Sequence, residues 1–110
     1  MEVKRGDVVL CTAPGDYGKP RPALVVQSDL FIPTHASVTL CPITSELISA
    51  PLFRLTITPA QDNGLRKPSQ IMVDKITSQP RKRIGKVIGK LGMEQMNHVD
   101  RALKLWLNLV

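Results

Sequence analysis

Hydrophobic and polar positions follow two different periods along the chain. As far as residue 90, short apolar or alternating runs are separated by clusters of turn-forming residues, a pattern typical of β-strands. The strands predicted in this way are Asp7–Cys11, 23–27, 37–44 and 52–58, followed by the segments SQIMVDKIT and KRIGKVIGKL. In the last segment, the four-residue stretch bracketed by Gly85 and Gly89 could also be a helical turn.

The C-terminal part of the chain changes to a helical period. From Met93 onward, apolar residues recur at spacings of three and four, which predicts an amphipathic helix carrying Met96, Val99, Leu103, Trp106, Leu107 and Val110 on its apolar face. Gly92 is the predicted N-cap, with Gln95 in the position of a capping-box partner. We expect Trp106 in the core, where this helix packs on the sheet; a role in an interface is the alternative.

The order of these elements predicts the class of fold. Five or six short strands followed by one helix favour a mostly β chain with helices (α+β). Its expected form is a small, strongly bent antiparallel sheet or barrel with a C-terminal amphipathic helix. The length of 110 residues predicts a single domain, 1–110.

The apolar runs and the cysteines indicate the cellular compartment of the protein. No apolar run approaches the roughly 20 residues that span a bilayer, and the N-terminus MEVKRGDVVL lacks the apolar block of a signal peptide. We therefore expect a cytoplasmic protein that does not associate with a membrane. Cys11 and Cys41 stand in apolar surroundings without zinc-ligand spacing, which predicts two reduced, buried thiols.

Charge is concentrated in one part of the chain. The formal net charge is +6, and between Leu65 and Lys90 there are eight basic residues and a single acid, Asp74. The first 64 residues are nearly balanced, with five basic and six acidic side chains. A concentrated basic segment favours a polyanionic partner such as RNA or DNA, although it also suits simple solubility.

Cofactor-dependent chemistry finds no support in the sequence. The nine acidic residues are scattered, P-loop and dinucleotide-binding fingerprints are absent, and His35 and His98 have no evident catalytic partner. We therefore expect no metal and no cofactor. Cleavage of RNA needs neither, because the ribose 2′-hydroxyl supplies the nucleophile and the protein has to move protons and stabilise charge on phosphorus.

Polar residues at predicted strand ends are the candidates for that chemistry. Arg21 stands between Pro20 and Pro22 at the start of a buried strand, where a rigid guanidinium could bind phosphate oxygens. Thr44 closes the following strand, and Asp74 interrupts a later one. Structural roles are the alternatives: Arg21 could pair with Asp16 or Asp29, Thr44 could form a turn with Ser45, and Asp74 could accept from a loop amide or pair with Arg66.

The sequence resembles the MazF/PemK toxins, the ribonuclease halves of bacterial toxin–antitoxin pairs. The resemblance rests on KRGDVVLC, GKPRPALVVQSD, CPITS, NGLRKPSQIMVDKI, RKRIGKVIGKL and VDRALKLWLNL, which follow one another from about Lys4 to Leu109. It implies an SH3-like β-barrel with appended helices and a homodimer. It also implies sequence-specific, metal-independent cleavage of single-stranded RNA to 2′,3′-cyclic phosphate and 5′-hydroxyl ends, inhibition of translation, and an acidic MazE/PemI-like antitoxin that occupies the RNA groove.

The resemblance also implies roles for individual residues. Arg21 matches the catalytic arginine of the family and Thr44 the catalytic threonine. Some members have an Arg-x-Asp pair that supplies acid and base; here the sequence is Met72-Val73-Asp74, so that arginine is missing and Asp74 is the candidate base or base-orienting group. The expected RNA-binding residues are Lys19, Ser45, Arg66, Lys67, Lys75 and Tyr17.

Two other functions fit a chain of this kind. A gyrase poison of the CcdB type shares the barrel, but it depends on a Trp-Gly-Ile terminus, whereas Trp106 is followed here by Leu107. A catalytically inactive SH3-like binding module is the second alternative, favoured by the missing arginine before Asp74 and opposed by the presence of Arg21 and Thr44. The RNA recognition sequence depends on loop shape, in TAPGDYGKP and SELISAP above all.

Overall fold

The computed structural model describes residues 2–109. Within them the chain forms seven strands and one α-helix, namely β1 (Asp7–Cys11), β2 (Arg21–Val25), β3 (Ser37–Thr44), β4 (Arg54–Ile57), β5 (Ser69–Met72), β6 (Thr77–Pro80), β7 (Ile84–Lys90) and α1 (Met93–Leu107). Single 3₁₀ turns lie at Ile32–Thr34, Val73–Lys75 and Arg81–Arg83. Among these residues, no helix combines the length and the hydrophobicity needed to cross a membrane.

The strands form an antiparallel sheet that bends along β3. The order is β4-β5-β3-β2-β1-β7, and β6 pairs with β3 beside this path. One edge of β3 is shared by two strands, because Ser37–Leu40 pair with β6 while Ile43 and Thr44 pair with β5. The sheet therefore curls into a barrel-like shape, and the predicted class, a mostly β chain with a C-terminal helix, is confirmed.

Two apolar clusters form the core, one on each face of the sheet. In β1, Val8 belongs to the cluster that contains Met96 and Val99 of α1, whereas the adjacent Val9 belongs to the second cluster. Both valines are fully buried. Successive side chains of a strand point to opposite faces, so burial on both faces explains why β1 and β2 are nearly continuous in apolar residues.

The predicted strands differ from the observed ones at turns. The segment SQIMVDKIT was expected to be one strand, but β5 ends at Met72 and β6 begins at Thr77, with a 3₁₀ turn at Val73–Lys75 between them. Val73 is fully buried, and its burial fixes the break. The chain therefore has seven strands within residues 2–109 rather than five or six. The glycine-rich segment is a strand, β7, and not a helical turn.

The helix begins where the sequence predicts. Gly92 is the N-cap, and its backbone N–H donates to Oε1 of Gln95 at 3.2 Å. The buried residues of α1 end at Ala102, and the apolar residues of its last turn are exposed. The expectation that Trp106 lies in the core is therefore wrong for this chain: the residue is 46% exposed and its ring lies 5.4 Å from that of Phe53. Val110 lies outside the described residues.

A tight turn at Asn63 and Gly64 fixes the chain that leads into β5. Asn63 is buried, and its Oδ1 accepts from the backbone N–H groups of Ala60 and Leu65. Gly64 has φ of +71°, and a Cβ there would stand 2.2 Å from the carbonyl oxygen of Ile88. Glycine is therefore required both by the backbone conformation and by the close approach of β7.

Candidate active site

Two adjoining cavities form a continuous groove across the ends of β2 and β3. Their volumes are about 680 and 430 Å³. Both are lined by Arg21, Pro22, Ile43, Thr44 and Glu46, which therefore form the centre of the groove. Two of the predicted catalytic residues, Arg21 and Thr44, are thus brought to one place by the antiparallel pairing of β2 with β3, in which Ala23 lies opposite Pro42.

Arg21 is the first residue of β2 and reaches into the groove from its rim. Its side chain is 57% exposed, and Nε lies 3.3 Å from Oδ1 of Asp16, one of the two structural partners that the sequence left open. The other, Asp29, accepts instead from the backbone N–H of Arg5. An exposed ion pair of this kind stabilises little, about 0–1 kcal/mol. A phosphate can therefore take the place of Asp16 without a large penalty.

Thr44, the last residue of β3, is held so that its hydroxyl hydrogen remains available. Its Oγ1 accepts from the backbone N–H of Glu46 at 3.1 Å, a turn that confirms the structural role considered for this residue. Accepting uses an oxygen lone pair and leaves the O–H free to donate. Thr44 lines both cavities, so this donor is available at the groove centre.

Asp74 is paired with Arg54, which the sequence did not single out. Nε and Nη2 of Arg54 donate to Oδ1 and Oδ2 of Asp74 at 2.7 and 3.1 Å, so that each carboxylate oxygen is engaged. Arg66, one of the partners that the sequence left open, is not the partner of Asp74 among the described residues; it lines the smaller cavity. The two residues are 20 positions apart, and only the pairing of β4 with β5 brings them together.

This ion pair changes the acid–base properties of Asp74. The hydrogen bonds from Arg54 hold the pKa of the Asp74 carboxyl below its usual range, and the same pair raises the pKa of Arg54. A carboxylate with a lowered pKa and both oxygens engaged is a weak proton acceptor. Asp74 is also absent from the described residues that line the larger cavity, whereas Arg54, Met72 and Lys75 line it.

The expected RNA-binding residues divide into two groups. Ser45, Arg66 and Lys67 line the smaller cavity and Lys75 lines the larger one. Lys19 and Tyr17 line neither; they stand exposed on the β1–β2 loop (12–20), beside Asp16.

Besides Arg54, the sequence analysis missed Glu46, which lines the groove, and Gln70, which holds one of the loops beside it. Glu46 lines both cavities and, with Asp16, supplies the carboxylates of the described groove. Gln70 is buried in β5, and its amide accepts from the N–H of Ile48 at 3.1 Å and donates to the carbonyl of Ile48 at 2.9 Å. Gln70 thereby holds the β3–β4 loop (45–53) against the sheet. A long polar residue directly before the apolar Ile71 and Met72 in SQIM was the signal that could have identified it.

The two thiols take no part in this chemistry. Both cysteines are free and buried, as predicted. Burial raises the pKa of the Cys41 thiol to about 12 and also raises that of Cys11, which lines the larger cavity. Thiolate is the nucleophilic form, so both groups are unreactive at neutral pH.

Fold and groove together define a small β protein with a site for a polyanion. The sequence profile of the PemK-like, MazF-like toxins of type II toxin–antitoxin systems matches residues 4–107. The chain belongs to this family, and the resemblance noted in the sequence is confirmed.

Individual relatives agree with this assignment. The chain is 42% identical over 108 residues to the probable endoribonuclease MazF of Mycolicibacterium smegmatis, covering 97% of this chain and 98% of the relative. Its fold is similar to that of the Mycobacterium tuberculosis toxin MazF-mt6, with a TM-score of 0.81, 23% identity, and coverage of 94% and 98% of the two chains. It is also similar to a mycobacterial endoribonuclease solved in complex with its cognate antitoxin, with a TM-score of 0.83, 20% identity and coverage of 99% and 98%.

Proposed function

We propose that the protein is the toxin of a type II toxin–antitoxin pair and an endoribonuclease that cleaves single-stranded RNA without a metal. The observation that carries the proposal is the groove itself, in which Arg21 and Thr44 meet at the centre and basic residues line both cavities. Its substrate is mRNA, so that cleavage inhibits translation, and the protein acts in the cytoplasm. Family membership and the 42% identity to a probable endoribonuclease support this reading.

The reaction is a transesterification at phosphorus. The 2′-oxygen of the RNA forms a bond to phosphorus while the bond from phosphorus to the 5′-oxygen breaks, which leaves a 2′,3′-cyclic phosphate and a 5′-hydroxyl. The proton of the 2′-hydroxyl passes to a carboxylate of the groove, and the leaving 5′-oxygen takes a proton from water, which the protonated carboxylate then restores. Arg21 binds the non-bridging oxygens as their negative charge increases, and the free O–H of Thr44 donates to the same phosphate. Asp16 and Glu46, the groove carboxylates, are the candidates to accept the 2′-hydroxyl proton.

Asp74 has an orienting role in this proposal. Its carboxylate accepts two hydrogen bonds from Arg54, so it holds the Arg54 side chain in place. It does not itself accept the proton of the 2′-hydroxyl. The RNA backbone is bound by Ser45, Arg66, Lys67 and Lys75 along the groove, and by Lys19 and Tyr17 on the β1–β2 loop, where Tyr17 is fully exposed and can stack on a base.

The same groove accounts for the partners. An acidic, partly disordered tail of a MazE/PemI-like antitoxin would bind the basic residues that bind RNA, and would block the site by occupying it. A structural relative was solved in complex with its cognate antitoxin. We also propose a homodimer as the functional unit, as the family resemblance implies.

Cleavage of a long single-stranded RNA in excess EDTA tests the proposal. The wild-type protein should give discrete fragments with 5′-hydroxyl ends. Arg21→Ala should lose about 100-fold or more in rate, the magnitude expected for removal of one donor to a developing oxyanion. Arg101→Ala is the matched control, because Arg101 is an exposed arginine of α1 that lines neither cavity. Folded wild-type protein that leaves several RNAs intact would refute the nuclease and favour an inactive binding module.

A further inference from the structure

The Arg54–Asp74 pair is built so that its cationic partner faces the groove. Arg54 lines the larger cavity together with Arg21 and Thr44, while the carboxylate of Asp74 lies outside the described lining. The two side chains are 10% and 16% exposed, so the pair is largely shielded from solvent. The guanidinium is therefore held by a fixed anion at the edge of the space where the proposed substrate binds; Arg54 also lines a smaller third cavity, with Gln95 and His98.

The guanidinium of Arg54 has N–H donors that its contacts with Asp74 do not use. Its contacts with Asp74 use Nε and Nη2. No described residue accepts from Nη1, and this nitrogen is not among the buried polar atoms without a partner, so it remains in contact with solvent. An arginine carries five N–H donors in a rigid plane. A bidentate contact on one edge thus leaves Nη1 oriented to bind an oxygen of a second anion.

The register of β4 and β5 explains how the chain manages without an arginine at position 72. Arg54 lies directly opposite Met72 across the two strands. Directly opposed residues project from the same face, with Cβ atoms about 4.5–5.5 Å apart. A cation on this face beside Asp74 can therefore originate from either strand. In this chain it originates from β4.

We propose that Arg54 is a second phosphate-binding cation of the groove, oriented by Asp74 and acting with Arg21 on the phosphate that is attacked. This inference rests on the proposed function. Arg54 is the catalytic residue of the pair and Asp74 a positioning residue. Arg54 remains charged throughout, so it stabilises negative charge on phosphorus and moves no proton. A donor that is already fixed in place needs no reorganisation during the reaction, which is the advantage of holding it with a carboxylate.

Three variants separate this role from that of a purely structural ion pair. Arg54→Met removes the cation. The exchange R54M/M72R returns a guanidinium to the same face from the opposite strand. The reversal R54D/D74R keeps an ion pair but places its cation at position 74, outside the cavity lining. Cleavage sites are first mapped on a long RNA with the wild-type protein. Rates, binding and thermal unfolding are then measured with a short oligonucleotide that contains one site.

The proposal predicts different outcomes for folding and for cleavage. Arg54→Met should lose about 100-fold in kcat, as expected for one donor to a developing oxyanion, with RNA affinity changed less. R54M/M72R should recover at least tenfold of that loss. R54D/D74R should be more stable than Arg54→Met and remain as inactive.

Several results would overturn the inference. These are a folded Arg54→Met with kcat within about threefold of the wild type, a reversal that cleaves as fast as the wild type, and a folded exchange variant without recovery. If Arg54→Met does not fold, the exchange and the reversal decide. Wild-type protein that cleaves no RNA would refute the proposed function instead, so the two failures are distinguishable.

Discussion

Replacing Gln70 with methionine should release the β3–β4 loop (45–53) from the sheet. Methionine nearly matches the volume of glutamine but makes none of its hydrogen bonds. Gln70 makes three such bonds: from the N–H of Ile48 at 3.1 Å, to the carbonyl of Ile48 at 2.9 Å, and to Oγ1 of Thr56 at 3.3 Å. Glu46 and Ile48 of this loop line the groove, so its position bears on RNA binding.

The size of the effect depends on whether the N–H and C=O groups of Ile48 stay buried or become hydrated. Unpaired and buried, the N–H and C=O of Ile48 would cost about 1–3 kcal/mol each. Ile48 is 49% exposed, however, so the loop can open and both groups can bond to water. The closed loop then loses only the net value of its hydrogen bonds, about 2 kcal/mol in all. That corresponds to roughly a 30-fold shift toward the open loop.

Amide hydrogen exchange and cleavage kinetics measure this shift. In Gln70→Met the amide of Ile48 should exchange about 30-fold faster, following the shift estimated above. KM for RNA should rise by more than kcat falls. Gln79→Met is the matched control, because it makes the same substitution in a strand residue whose side chain bonds, among the described residues, only to Thr77, at 3.5 Å, and not to the β3–β4 loop. Wild-type exchange at Ile48 together with unchanged KM would refute the role assigned to Gln70.

Three further predictions concern the acid, the proline and the glycine of the site. Because Arg54 lowers the pKa of Asp74 from 3.8, the stabilisation should be fully present above about pH 5 and should decline as pH falls through the lower, folded pKa. The difference in unfolding free energy between wild type and Asp74→Asn should therefore be constant from about pH 5 to 8 and shrink below about pH 4, which pH-dependent denaturant unfolding measures; a difference that grew in acid would contradict the ion pair. Pro22→Ala should lower the cleavage rate by more than it lowers RNA affinity, since rigidity of the Arg21 segment matters most for a positioned donor, and equal losses would restrict Pro22 to folding. Gly64→Ala should destabilise the protein by more than about 1 kcal/mol, because φ is +71° and the added Cβ would stand 2.2 Å from a backbone oxygen, and an unchanged melting temperature would show that this turn is wrongly described.

Local pattern predicted most of the elements, and contacts distant in sequence account for what it missed. The alternation in SVTLCPIT corresponds to β3, Ser37–Thr44, and the three-to-four spacing after Met93 corresponds to α1. Both are long, periodic segments; α1 buries one face, and β3 buries Val38 and Leu40 on one face and Cys41 and Ile43 on the other. The break after Met72 could not be predicted in the same way, because the turn depends on burial of Val73 in a core assembled from other strands.

In the site, too, some residues were predictable from local sequence and others depend on contacts distant in sequence. Arg21 and Thr44 were recognisable because they stand at strand ends beside turn-forming residues. Arg54 was not, because a single arginine in LFRLTIT looks like an outward-facing strand residue. Its function depends on the register that sets it opposite Met72 and within hydrogen-bonding distance of Asp74. The sequence has no arginine at position 72, and the pairing of β4 with β5 places Arg54 of β4 there instead.

The most direct measurement uses an RNA oligonucleotide with a single cleavage site and its counterpart with one 2′-deoxy nucleotide on the 5′ side of the scissile phosphate. In excess EDTA, the wild-type protein should cleave the first and leave the second intact while binding both with similar affinity. The reason is that the nucleophile is the 2′-hydroxyl of the RNA and belongs neither to the protein nor to a metal-bound water. Cleavage of the 2′-deoxy oligonucleotide at a comparable rate would contradict the proposed mechanism.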